Sequence, residues 1–99
     1  MDLVKVVVEI LGTFFFLSVI LQTLTDTSLG PIAVAVTLLA AIYFGASTSK
    51  AHFNPAVSFA MFMKDQLTMN ALISYVLAQL VGAALAVKFN SVLLKKSFA

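Results

Sequence analysis

The chain has 99 residues, of which 62% are hydrophobic and 10% charged, with a net charge of +2 and a mean hydropathy of +1.09. A soluble domain of this size needs far more polar surface, so that class is excluded, and so slight and dispersed a charge excludes a nucleic-acid partner. The absence of cysteine rules out disulfides and thiolate sites, and a single histidine leaves no basis for a metal site.

Crossing the hydrocarbon core as a helix takes roughly 20 apolar residues. Val6 to Leu24 meets this, so a first spanning helix is expected over about residues 4–25. Its apolar run has no small-residue cleavage site and reads as mature structure rather than a signal peptide. A polar turn, Thr25-Asp26-Thr27-Ser28, ends it, and Gly30-Pro31 opens a second span over about 30–47. Pro31 suits a first helical turn, where its missing amide is no loss. After Ser47-Thr48-Ser49-Lys50 comes a third apolar piece, Ala51 to Met63, which is too short to cross and stops at Lys64-Asp65-Gln66. A last span is expected over about 67–89, with a short lysine-bearing tail over 90–99. The fold expected is an all-α integral membrane protein in lipid, with three transmembrane helices and one half-length segment over about 50–64.

Two geometries are open to the half-length segment. A surface helix expects a polar face, and Asn54 to Met63 has little of one. A re-entrant path needs its loop backbone to line a watery cavity rather than lipid. Four or five extended residues before Asn54 reach roughly 13–18 Å, about half the membrane thickness. The re-entrant path fits better.

Asn54-Pro55-Ala56 opens the short helix. Asn is a strong N-cap because its side-chain oxygen accepts from the first-turn amides, and proline follows without leaving an amide unsatisfied. With its oxygen engaged, Asn54 turns its NH₂ outward as a donor, and the helix dipole adds partial positive charge there. Such a site orients water oxygen and disfavours cations. A plain capping role is the alternative reading of the same residues.

Ala51-His52-Phe53-Asn54-Pro55-Ala56-Val57 resembles the first pore loop of the aquaporin and aquaglyceroporin family. Glu9-Ile10-Leu11-Gly12-Thr13-Phe14 resembles the family's first helix, Ala41-Ile42-Tyr43 sits at the family's spacing before the loop, and Ala78-Gln79-Leu80-Val81-Gly82-Ala83 resembles its third helix. The resemblance implies a passive channel for water and small neutral solutes such as glycerol, not an enzyme, with no cofactor. It implies a pore lined by Asn54, Pro55, Ala56, Val57, Phe53, His52 and Val34, the last standing 20 residues before Asn54. It also implies that Glu9 accepts from pore-loop amides and that Gln79 supports the same loop. The residues alone leave other roles open: an ion pair of Glu9 with Lys5, a generic interhelix bond for Gln79, a local backbone partner for His52.

Family members carry two such halves of opposite orientation, whereas this sequence resembles the first half only. The simplest completion is an antiparallel homodimer with paired Asn-Pro-Ala turns at the midplane, assembling to about eight chains around about four pores. Lysine placement is compatible with insertion both ways: Lys5, Lys50 and Lys64 fall on one side, Lys88, Lys95 and Lys96 on the other. Small residues four apart, Ala33, Thr37, Ala41 and Gly45 on the second span and Ala78, Gly82 and Ala86 on the third, suit close helix packing; an alanine-rich composition also produces such series by chance.

Where the family's second half carries a filter arginine after Asn-Pro-Ala, the matching position here is Val57. A pore built from two copies therefore has a wider, less polar constriction. Lys50 replaces the glycine usual two residues before His52; its charge either faces the pore mouth or snorkels away. Two other classes remain open: a proton-coupled small exporter using Glu9, and a remnant that inserts without conducting.

Overall fold

The computed structural model describes residues 2–26 and 28–97. Four helices follow one another: α1 (Leu3–Gln22), α2 (Gly30–Gly45), α3 (Pro55–Met63) and α4 (Met69–Ser97). The starts of α1, α3 and α4 are capped by a side chain that accepts from a first-turn amide, and α2 begins with a proline, which has no amide to satisfy. The Asp2 carboxylate accepts from the Val4 and Lys5 amides at 3.0 and 3.4 Å, and the Thr68 hydroxyl accepts from Ala71 at 3.1 Å. Ahead of α2, Asp26 accepts from the Leu29 and Ser28 amides at 2.8 and 3.2 Å, and Pro31 fills the first turn. The bond from Leu29 is the main cause that holds the Asp26 carboxyl below its ordinary pKa. Its support of this turn is therefore present at neutral pH and is lost only as pH falls through that lowered value.

α1 and α4 are long and apolar enough to cross a membrane, the latter over Met69–Leu93. α2 has 16 residues, about 24 Å, which falls short of the ~30 Å core. Turns through Ser49, closed by amides bonding to the Ile42 and Gly45 carbonyls, extend it. The tail expected over 90–99 is instead helical as far as Ser97. A helix of 29 residues runs about 44 Å, so α4 projects beyond the hydrocarbon.

α1 is the central element, with α2 on one flank and α4 on the other, while α3 packs on α4. α1 and α4 run parallel: Asp2 and Lys5 face Thr68 and Asn70 across a cleft at one end, and Gln22 donates to Asn90 at the other. Gly82 brings the two helices close, because a Cβ there would lie 2.7 Å from the Ile10 carbonyl oxygen and 3.0 Å from Thr13 Cβ. Ala78 and Ala86 are buried one turn to either side of it, and Phe14 meets Phe89 edge-on at 5.5 Å. On the other flank Ala41 and Gly45 of α2 are buried, Ala41 in one cluster with Val8 and Phe53. Ala41 and Gly45 of the first series and Ala78, Gly82 and Ala86 of the second thus pack inside the chain, while Ala33 and Thr37 are half-buried. We expect Gly82→Val to push α1 and α4 apart and lower stability by about 1–3 kcal/mol, read as an earlier unfolding transition in detergent.

Candidate functional site

Between α2 and α3 the chain folds into a loop held by a network of polar contacts and by one buried ring. At its centre is Glu9, fully buried on α1. Its carboxylate accepts four hydrogen bonds: from the Ser49 hydroxyl at 2.6 Å, the His52 amide at 3.0 Å, the Phe53 amide at 2.8 Å and the Gln79 side-chain amide at 2.9 Å. Each would be a buried, unpaired donor without it, so the carboxylate makes this loop path possible inside an apolar protein. The alternative of an ion pair with Lys5 is set aside by this arrangement, since Glu9 faces inward while Lys5 is exposed.

Gln79 connects the loop to the half-helix. Its NH₂ donates to Glu9 and, at 2.8 Å, to Ser58 Oγ on α3. Ser58 in turn meets His52 Nδ1 at 2.8 Å, and the His52 ring lies 4.8 Å from that of Tyr75. Tyr75 closes the set by donating to the Ser49 carbonyl at 2.7 Å. Ser49, Ser58 and Tyr75 were not singled out in the sequence. The only signal for Ser58 was its polarity within the otherwise apolar Pro55–Met63 segment.

The geometry of α3 follows from these contacts. Gln79 lies ten residues into α4, about 15 Å from its start, and Ser58 sits opposite it. From there α3 runs back toward the end at which α4 begins. The loop thus goes in and the helix comes back toward the same end of α4. At the N-terminus of α3 Asn54 Oδ1 accepts from the Ala56 amide at 2.8 Å, and its NH₂ has no partner among the described residues. Asn54, Pro55 and Ala56 are exposed, and Val57 is half-buried.

One expected lining residue requires correction. The Phe53 side chain is 2% exposed and is buried against α1 and α2, so it anchors the loop instead of facing a channel. Its ring occupies a socket that only glycine can form: a Cβ on Gly12 would lie 2.1 Å from it and one on Gly45 2.8 Å. The His52 ring is 6% exposed, packed against Ser58 and Tyr75 with Nδ1 turned to Ser58. Val34, half-buried on α2, is not brought to the turn, because α2 and α3 make no contact among the described residues.

The loop is strained. Lys50, Ala51 and Phe53 have φ of 73°, 54° and 54°, in the left-handed region that side chains disfavour. At Lys50 this gives the family's usual glycine a physical reason. Lys50→Gly is expected to stabilise the chain by about 1 kcal/mol, observable as a later unfolding transition.

The comparisons with known proteins agree with this architecture. The chain is 36% identical over 87 residues to Aquaporin-B of Dictyostelium discoideum, covering 79% of this chain and 30% of that protein. It is 42% identical over 55 residues to a probable TIP-type aquaporin of Medicago truncatula, covering 56% and 22%. With Aquaporin NIP1-2 of Arabidopsis thaliana it shares 30% identity over 91 residues, covering 83% and 31%. The chain thus spans under a third of the length of these relatives. No solved structure matches it. The family model Major intrinsic protein matches residues 4–98. With nearly every residue inside that match and a half-length helix held beneath an inward-facing carboxylate, the chain belongs to the major intrinsic protein family, whose members are all-α integral membrane proteins.

Proposed function

We propose that the chain forms a passive channel for water and small neutral solutes such as glycerol, its pore completed by an inverted second copy. The observation that carries this reading is the Asn54 amide. It is a donor at the start of a half-length helix whose preceding loop is held by Glu9. In aquaporin-type channels pore diameter, lining donors and half-helix dipoles set selectivity. A second, inverted copy brings an equal half-helix to the midplane, so that the two turns meet there with two donors and two positive helix ends. The even division of Lys5, Lys50 and Lys64 against Lys88, Lys95 and Lys96 favours insertion in both orientations. In such a pair Val57 and Val34 replace a charged filter by a wider, apolar one. Four such pores, about eight chains, form the assembly.

Stopped-flow shrinkage of proteoliposomes tests the channel. Rapid osmotic water flux without ion conductance supports it, and normal insertion without flux of any solute overturns it. Tags on both termini test the pairing. Each terminus is expected on both membrane faces; a single fixed orientation assigns the second half to a different polypeptide segment.

A further inference from the structure

The buried hydrogen bonds around the loop determine which nitrogen of His52 carries its proton. Glu9 can only accept, so Gln79 must point its NH₂ at it; turning the amide over would place oxygen against oxygen at 2.9 Å. The second N–H of that group then goes to Ser58 Oγ at 2.8 Å. Ser58 thus accepts from Gln79 and must place its own hydrogen elsewhere. Thr37, Ser74 and Ser91 donate to the carbonyl four residues back, at 2.7, 2.9 and 2.9 Å. Ser58 makes no such bond, and the acceptor within reach is His52 Nδ1 at 2.8 Å. A proton on Nδ1 would leave the Ser58 hydrogen without an acceptor among the described residues. His52 Nε2 has no partner among the described residues, although the residue is 6% exposed, and it is not sealed off from the surface as Gln79 Oε1 is.

We infer that His52 is held neutral with its proton on Nε2, that Ser58 is the positioning residue that sets this form, and that the Nε2–H is a second donor to solute oxygen beside the Asn54 amide. The last element rests on the channel reading; the first two do not. The loop's side chains then offer donors only, Asn54 NH₂ and His52 Nε2–H, because the Asn54 oxygen is committed to Ala56 and Nδ1 to Ser58. These two donors add to whatever the loop's backbone carbonyls accept, so a solute oxygen has two side-chain N–H groups to meet there.

A single histidine makes the test a one-residue measurement. In the ¹⁵N spectrum of the reconstituted protein, wild type and Ser58→Thr are expected to show Nε2 protonated and Nδ1 bare. Ser58→Ala is expected to populate the other tautomer and to lower glycerol flux about fivefold, the equivalent of one net hydrogen bond. A proton on Nδ1 in the wild type overturns the inference whether or not the variant folds, as does an unchanged tautomer in Ser58→Ala. A shifted tautomer with unchanged flux removes the solute contact alone. Absence of flux from the wild type, with the expected tautomer, overturns the channel reading and the solute contact and leaves the assignment of Ser58 standing.

Discussion

Glu9→Gln is expected to destabilise the chain by about 3–5 kcal/mol and to abolish solute flux, whatever the proton gradient. The carboxylate has four donors aimed at it. An amide offers one acceptor oxygen and brings an NH₂ that faces those same donors, so at least one buried backbone amide is left unpaired. Breaking a buried, fully bonded charge in this way belongs to the costliest class of substitution. Unfolding in detergent and osmotic flux in vesicles measure the two losses together. The same geometry separates the channel from a proton-coupled exporter. An exporter needs a carboxylate that solvent and substrate reach in turn, whereas Glu9 is fully buried and committed to structural partners. Wild-type flux is therefore expected to be the same with and without a pH difference. A strict requirement for one would return Glu9 to a transport role.

Gly12→Val is expected to have an effect of comparable size by a different route. The Phe53 ring stands where the new Cβ would be, at 2.1 Å, and it cannot simply swing away. Its own amide is bonded to Glu9 and its backbone is held at a positive φ. Relief must come from undocking the loop, which carries Asn54 with it. The expected loss is about 3 kcal/mol, the upper end for overpacking, with loss of flux. Combining the smaller Gly12→Ala with Phe53→Leu tests the socket directly. If the ring is the obstacle, the double variant is more stable than the sum of the two single ones by an amount in the 0.5–3 kcal/mol range of contacting pairs. Strict additivity would place the damage elsewhere on α1.

These two sites differ in how readable they were. Glu9 stood out because a carboxylate one turn or more inside an apolar span needs a partner, though the sequence left Lys5 and the loop amides both open as that partner. Phe53 is expected from the sequence to line the channel, and its ring is buried instead. In a chain with nine phenylalanines, one next to Asn54 carries no mark of which way its ring points. That direction depends on two glycines, Gly12 and Gly45, 41 and 8 residues away in sequence, and on their meeting across α1 and α2.

The sequence alone determined what hydropathy, charge and local backbone chemistry can determine. It established membrane helices, a segment too short to cross, and a helix start in which Asn54 caps and Pro55 follows. These properties depend on residues a few positions apart and on transfer from water to lipid, so spacing and composition carry them. It also marked Lys50 as out of place. Only the tertiary structure decided how the Asn-Pro-Ala loop is held, through partners that α1, α3 and α4 bring together. It also decided that the helix continues to Ser97 and that Ser58 and Tyr75 belong to the loop's framework. The reason is that buried polar atoms must find partners wherever packing provides them. Apart from His52 and Ser58, which are six residues apart, those partners lie 21 to 70 residues apart, a distance at which no periodicity reports.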